Sequence, residues 1–284
     1  MPELPEVETI RRQLAPRVEA RTLVGVRVLD ERWARPLAPR AMERALKGRR
    51  VESLGRRGKY LVWELSGERF LLQHLRMTGN LLYDPAERPV HTRVELELDD
   101  GHELLYADAR RFGTGQLADG RDGLEVFLGS RLGLEPFDAD FGAEHLRALA
   151  RGSRAPVKSF LLNQKRIAGV GNIYADEALF RARVHPLRPA GRLTRAQWEA
   201  LAPAIVETLA AGIDANGATI DDFRHLDGAE GSFQDEFLVH LHEGDPCPRC
   251  GAPVRKLVAA GRGTYVCERC QPRPRVRRRP ALDD

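Results

Sequence analysis

Two cysteine pairs near the end of the chain, Cys247-Pro-Arg-Cys250 and Cys267-Glu-Arg-Cys270, constrain the fold more tightly than any other stretch. They hold all four cysteines of the 284 residues and are separated by sixteen residues. That is the spacing of a four-thiolate zinc site built from two turns at the ends of a β-hairpin. Four thiolates fill a tetrahedral shell and leave no place for water or substrate. The expected metal is therefore one structural zinc ion, holding a hairpin too small to own a core. The sequence carries no run of eighteen apolar residues and no charged, apolar, then small-residue leader. This predicts a cytoplasmic protein without a membrane partner, in which paired cysteines favour metal over disulfides.

The length suffices for two domains with their own cores, and 42% hydrophobic with 30% charged residues is ordinary globular composition. A net charge of +4 and a pI near 9.0, with arginine concentrated in places, suit a nucleic-acid partner. Short Val- and Leu-rich segments at 22–29, 51–54, 59–65 and 69–75 read as strands. The alternating run 92–98, the Asp100-Gly101 turn and the return 103–106 read as a hairpin. The expected fold class is α+β in two domains. An N-terminal antiparallel β-sandwich (1–135) carries flanking helices, one of them at 40–46. A loop-rich stretch over 120–141 leads to a helical domain (136–235). A four-cysteine finger (236–271) and a disordered arginine-rich tail (272–284) complete the chain. In the helical domain, segments 144–150 and 155–164 precede a turn at Gly169-Val170-Gly171-Asn172, and a helix begins directly after it. Exposed amides at that turn, with Asn172 and Lys158, form a candidate phosphate cradle; a plain glycine connector is the alternative. A further helix starts at Thr194 with Gln197 as a capping box and buries Trp198, Leu201, Ile205 and Leu209. The polar stretch 216–232 is expected to be a mobile loop.

At the other end, Met1-Pro2-Glu3-Leu4-Pro5-Glu6 runs into a helical pattern with Val7, Ile10 and Leu14 on one face. Trimming of Met1 would make Pro2 a secondary amine, and an α-amino group titrates near about 8. A helix N-terminus disfavours its protonated form, so a nucleophilic fraction is expected at neutral pH. Glu3 and Glu6 share a helix face beside it as proton shuttle and steering acid. The same residues are also ordinary helix starters. Three further groups carry potential chemistry. Lys59 follows a glycine in Gly55-Arg56-Arg57-Gly58-Lys59-Tyr60, reaching for phosphate or sitting in a solvated basic turn. His74 and Met77 end a strand, where a Met commonly belongs to the core. Ala109-Arg110-Arg111-Phe112-Gly113 sets a cation beside an aromatic, a pair able to fill the hole a base leaves, in what is otherwise an exposed loop. Arg262, between Gly261 and Gly263 at a hairpin tip, is placed for phosphate contact.

Taken together, these residues resemble the bacterial formamidopyrimidine-DNA glycosylase family, base-excision repair enzymes that remove oxidised purines such as 8-oxoguanine. The resemblance spans nearly the whole chain: the Met1–Glu6 terminus, Lys59 in its glycine turn, Gly169-Val170-Gly171-Asn172, and the four-cysteine finger. It implies that Pro2 forms a Schiff base with C1′ of the damaged nucleotide, that Glu3 is the general acid, that Lys59 assists β-elimination and that Arg262 serves δ-elimination. It further implies that His74, Asn172 and Arg262 clamp phosphates, that His91, Arg110 and Arg154 make other DNA contacts, and that Met77, Arg110 and Phe112 fill and wedge the opened stack. The implied partner is double-stranded DNA with oxidised bases or abasic sites, bound by a monomer that associates with the nucleoid. Two alternatives differ by class: an endonuclease VIII-like glycosylase for oxidised pyrimidines, and a non-catalytic DNA-binding protein, which would need neither Pro2 nor Glu3. Departures from the family pattern are the long tail after Cys270 and the acidic Asp221, Asp222 and Glu230 in the loop.

Overall fold

The computed structural model describes residues 2–220 and 222–274; Met1, Asp221 and the tail from residue 275 onward lie outside them. The chain forms two compact units, each assembled from separated stretches. The first comprises Met1–Asp138, Gln164–Gly171 and Leu209–Glu236, and the second comprises Ala139–Asn163, Asn172–Thr208 and the residues from Phe237 onward. Among the described residues no helix is long and apolar enough to cross a membrane.

The first unit opens with helix α1 (Leu4–Val18), whose first turn holds Pro5, where a missing N–H costs nothing. Val7, Ile10 and Leu14 recur at helical spacing and are fully buried. Two four-stranded antiparallel sheets follow. One has the order β1 (Leu23–Val28), β6 (Thr92–Leu98), β7 (Glu103–Asp108), β5 (Gly79–Tyr83); the other runs β2 (Val51–Arg57), β3 (Tyr60–Leu65), β4 (Arg69–His74), β8 (Thr114–Asp119). A single core formed by α1 and by strands of both sheets, with Ile10, Leu14, Trp63, Leu71, Val94 and Leu104 among its residues, makes this the expected sandwich. The short helices α2 (Glu31–Ala34) and α3 (Pro39–Leu46) flank it.

The stretch 120–141, expected to be loop-rich, begins instead with helix α4 (Gly120–Gly129). Three glycines disguise it, but Leu124, Phe127 and Leu128 stand at helical spacing and cover Tyr60, Phe70 and Leu72 on the outer face of the second sheet. Strands β5 and β8 also escaped the sequence reading. Gly115 lies mid-strand in β8, where a Cβ would overlap the Trp33 ring, so the strand lacks the side chain that would have marked it.

The second unit contains α5 (Ala143–Ala150), α6 (Val157–Leu161), α7 (Asn172–Arg181), the first part of α8 (Arg195–Asp214) and the hairpin β9 (Arg255–Ala259) to β10 (Arg262–Val266). Helix α8 begins with the predicted reciprocal cap: the Thr194 amide donates to Gln197 Oε1 at 3.0 Å and the Gln197 amide to Thr194 Oγ1 at 3.2 Å. Trp198 is buried against Phe160, with ring centroids 5.6 Å apart.

Because Ile10 is fully buried between α1 and the sheets, Ile10→Ala is expected to cost roughly 2–5 kcal/mol of stability. Urea unfolding monitored by tryptophan fluorescence measures it, and a loss below about 1 kcal/mol would mean that α1 is not a core element.

Candidate active site

The beginning of α1 is seated on the two-glycine turn. The Leu4 amide donates to the Gly169 carbonyl at 3.1 Å. Gly169 has φ +93°, and a Cβ there would overlap Leu4; a Cβ at Gly171 would overlap the Glu3 carboxyl group. Both positions need glycine, the first for its left-handed backbone and both for close approach. Gln164 closes the turn, accepting from the Gly169 amide at 2.9 Å and donating to the Val170 carbonyl at 2.8 Å, a role invisible in the sequence. Pro2 is buried and Glu3 is 1% exposed. Glu6 holds the pair from behind, its Oε2 accepting the Glu3 amide at 2.7 Å and its Oε1 accepting the Ala218 amide at 2.8 Å. One carboxylate thus joins the start of α1 to the segment 216–232. That segment, read from its polarity as mobile, has no helix or strand among its described residues, yet Phe223 and Leu226 join the sandwich core.

Lys59 lies in the β2–β3 turn of the second sheet, whose Gly58 meets the same segment at Ala168. It is buried at 5% exposure, directly after Gly58, whose φ is +58° and whose absent Cβ would sit 3.5 Å from Ala168. The turn is not a solvated basic loop. Arg56 donates to both Glu135 oxygens at 2.8 and 2.9 Å and to Glu8 at 3.0 Å, and the Gly58 amide also donates to Glu135. Burial pushes the Glu8 carboxyl up, but hydrogen bonds from Arg11 and Arg56 outweigh it and hold the group below its ordinary range. His74 stands opposite Tyr60 in the β3–β4 ladder, packed edge-on against its ring at 4.7 Å. Burial, then the charges of Arg76 and Lys59, hold the imidazole well below its ordinary 6.5. The Arg76 amide donates to Nδ1 at 3.0 Å, so the neutral ring carries its proton on Nε2.

On the far side of β4, Met77 is half-buried in a turn instead of lying in the core. The Arg110 guanidinium lies 4.8 Å from the Phe112 ring centre, and Phe112 is 50% exposed. Arg111, between them, turns away with φ +58° and makes a bidentate pair with Asp30 at 2.7 Å. His91 is exposed, as is Arg154 in the second unit.

In the second unit one expectation needs correction. Lys158 does not present its ammonium to a phosphate: it is fully buried, 2.6 Å from Asp176, and donates to Thr264 Oγ1 at 2.8 Å and to the Gly263 carbonyl at 3.2 Å. A desolvated ammonium needs such partners, and they consume its donors. Asp176 also meets His240 Nδ1 at 3.0 Å, and Asn172 Nδ2 donates to the Gly263 carbonyl at 3.1 Å. This network fixes the start of β10, where Arg262 is exposed directly after the two-residue tip Ala260-Gly261. Glu177, equally buried, accepts the amides of Leu238, Val239 and His240 at 2.9–3.0 Å.

The sulfurs of Cys247, Cys250, Cys267 and Cys270 lie within 4.8 Å of one another. Cys247 and Cys270 are 3.9 Å apart and Cys250 and Cys267 are 3.5 Å apart. A tetrahedral thiolate shell with zinc–sulfur bonds of about 2.3 Å has edges near ~3.8 Å, so the donor set fits one structural zinc ion. The Ala252 amide that donates to it brings the Cys250 thiol down to about 7, whereas burial pushes the Cys267 thiol up and the Cys270 thiol up to about 12.

Comparison with known proteins finds these parts in the same order. The formamidopyrimidine-DNA glycosylase N-terminal domain matches residues 1–115, the formamidopyrimidine-DNA glycosylase H2TH domain 132–224, and the zinc finger found in FPG and IleRS 244–273. The formamidopyrimidine-DNA glycosylase of Symbiobacterium thermophilum is 45% identical over 277 residues, 96% of this chain and 90% of the relative. Among solved structures, MutM (Fpg) of Thermus thermophilus superposes with a TM-score of 0.86 at 43% identity, covering 95% of this chain and 98% of that one. A Lactococcus lactis FPG variant in complex with a Fapy-dG-containing DNA gives 0.90 at 35% identity, covering 96% and 100%. A glycosylase domain, a helix-two-turn-helix domain and a zinc finger define the class. The chain belongs to the formamidopyrimidine-DNA glycosylase family.

The lowered His74 value makes a prediction about stability. An unfolded chain takes up this proton more readily than the folded one, so the contribution is fully present above pH 6.5 and is lost as the pH falls below it. Thermal unfolding between pH 7 and pH 5 is expected to lose stability more steeply in the parent than in His74→Gln, by up to about 1.4 kcal/mol per pH unit. Equal slopes in the two proteins would contradict this.

Proposed function

We propose that Pro2 is the nucleophile and Glu3 the general acid of this DNA glycosylase and abasic-site lyase of base-excision repair. The observation that supports this reading is the convergence of Glu3 and the Lys59 turn on residues 168–171. The substrate is double-stranded DNA bearing oxidised purines or abasic sites, and the enzyme acts as a monomer in the cytoplasm, on the nucleoid. The Lactococcus lactis relatives were solved with Fapy-dG, oxidised-pyrimidine and abasic-site DNA.

A base inside the duplex hides C1′, so the nucleotide is first everted at a cost of a few kcal/mol. The neutral Pro2 nitrogen attacks C1′. The C1′–base bond breaks with its electron pair moving to the base, which is protonated as it leaves; the nitrogen then gives up its proton, and its lone pair expels O4′, which is protonated as the C1′–O4′ bond breaks, leaving an iminium. The iminium acidifies the C2′ hydrogen; its removal expels the 3′ phosphate, and a second elimination expels the 5′ phosphate. Glu3 supplies and recovers protons at Pro2 and the sugar, Lys59 assists the first elimination, and Arg262 serves the second. His74 donates from Nε2, and Asn172 and Arg262 hold phosphates, with His91, Arg110 and Arg154 as outer DNA contacts. Lys158 acts through β10 as a positioning residue. Met77, Arg110 and Phe112 occupy the opened stack. Zinc is structural and shapes the hairpin that carries Arg262. We divide the labour at residues 1–135 for chemistry, 136–235 for the helix-two-turn-helix, 236–271 for the finger and 272–284 for the tail.

Borohydride added with a duplex containing 8-oxoguanine is expected to trap a covalent adduct mapping to Pro2, and Pro2→Gly should largely abolish it. An adduct of equal yield on a lysine would reassign the nucleophile. Gly171→Ala, which drives a methyl group into the Glu3 carboxyl, is expected to slow base release about a hundredfold. Single-turnover assays on 8-oxoguanine and thymine glycol duplexes measure this loss and the lesion preference together; an unimpaired Gly171→Ala enzyme would remove Glu3 from the chemistry.

A further inference from the structure

The geometry points to Asp108 as the positioning residue of the stack-filling apparatus, an inference that rests on the reading of Met77, Arg110 and Phe112 just given. Asp108 ends β7 and is 1% exposed. Five donors converge on its two carboxylate oxygens. Oδ1 takes the Thr78 hydroxyl and the Arg110 amide, the latter at 3.2 Å. Oδ2 takes the Phe112 amide at 2.9 Å, the Gly113 amide at 2.8 Å and the Tyr106 hydroxyl at 3.2 Å. Burial, then the neighbouring Asp108 charge, push the Tyr106 phenol well above its ordinary 10, so it remains a donor.

The arrangement joins two turns that the sequence separates. Thr78 adjoins Met77, and its Oγ1 also accepts the Arg110 amide at 3.1 Å, so the turn carrying Met77 and the loop carrying Arg110 and Phe112 hang on one carboxylate. Both are pressed onto the same ring as well, since a Cβ at Gly79 or at Gly113 would overlap the Tyr106 hydroxyl. Three side chains from two loops must enter one opened stack together, and their usefulness depends on mutual spacing fixed by supporting hydrogen bonds. Asp108 supplies that spacing while remaining buried beneath the residues it places. Its role is therefore to open and hold the duplex, with no part in breaking bonds.

Two substitutions test this with little change of shape. Asp108→Asn turns an amide N–H toward backbone donors, and Thr78→Val removes the bridging hydroxyl, whereas Thr78→Ser retains it. The readout is the ratio of single-turnover base release from an 8-oxoguanine·cytosine duplex to strand cutting of an abasic duplex, read beside 2-aminopurine fluorescence next to the lesion. Loss of one or two charge-assisted hydrogen bonds predicts that the ratio falls about tenfold or more in Asp108→Asn and Thr78→Val, with a slower fluorescence rise, and recovers in Thr78→Ser. A lesion placed in a bulge, already unstacked, should restore most of the ratio. If Asp108→Asn does not fold, Thr78→Val and Thr78→Ser carry the test. Equal loss on both duplexes, or an unchanged ratio in Thr78→Val while Phe112→Ala lowers it, overturns the role of Asp108 alone. No fall in the ratio for Phe112→Ala overturns the stack-filling reading on which it rests.

Discussion

The arrangement of the first unit depends on one close approach, that of the first turn of α1 to the glycines at 169 and 171. Backbone contact through Leu4 and Gly169 leaves no room for a methyl group on either glycine, and Glu3 lies directly over the second. The Gly58-Lys59 turn abuts Ala168 in the same segment, and Glu6 reaches from α1 to the 216–232 loop. Leu4 and Glu3 at the start of α1 and the Gly58-Lys59 turn of the second sheet therefore share one short stretch of backbone as their common reference. Such a site tolerates little displacement, because the parts are located by van der Waals contact as well as by hydrogen bonds.

Much of this was legible in the sequence because it is written in residue types with few alternatives. Two Cys-x-x-Cys pairs have one common use, and their sulfurs do gather within 4.8 Å. The alternation over β6 and β7 and the Thr194–Gln197 cap likewise became the hairpin and the helix start they suggest. What stayed hidden depends on partners distant in the chain. Lys158 reads as a cation available to phosphate, and nothing local reveals that Asp176 and Thr264 enclose it. Asp108 reads as the end of a strand, and nothing local reveals that Thr78, thirty residues earlier, joins the neighbouring Tyr106 hydroxyl and the Arg110, Phe112 and Gly113 amides on its carboxylate. Glycines mislead in both directions: those of α4 suggested a loop where three apolar side chains at helical spacing decide the matter, and Gly115 removed the side chain that would have marked β8.

Buried charge in the second unit follows one pattern. Lys158, Asp176 and Glu177 are all inaccessible, and each is matched by donors or acceptors from the finger or the segment before it. Desolvating these groups is costly, and hydrogen bonds offset the cost only while β10 and residues 238–240 hold their places. A polar network of this kind adds little net stability but rejects other alignments of the hairpin, each of which would leave a buried ion unmatched.

The first unit is woven from three separated stretches, the last ending at Glu236. A chain emerging from the ribosome can pair its sandwich strands early, yet residues 164–171 and the 216–232 segment must both arrive before Glu3 and Glu6 have their partners. Closing those long loops comes late in folding. Chains abandoned partway through synthesis, or clipped between the two halves, thus hold the Pro2-Glu3 start of α1 without the backbone that seats it. For a protein whose chemistry cuts DNA strands, this makes completion of the polypeptide a safeguard for the genome it serves.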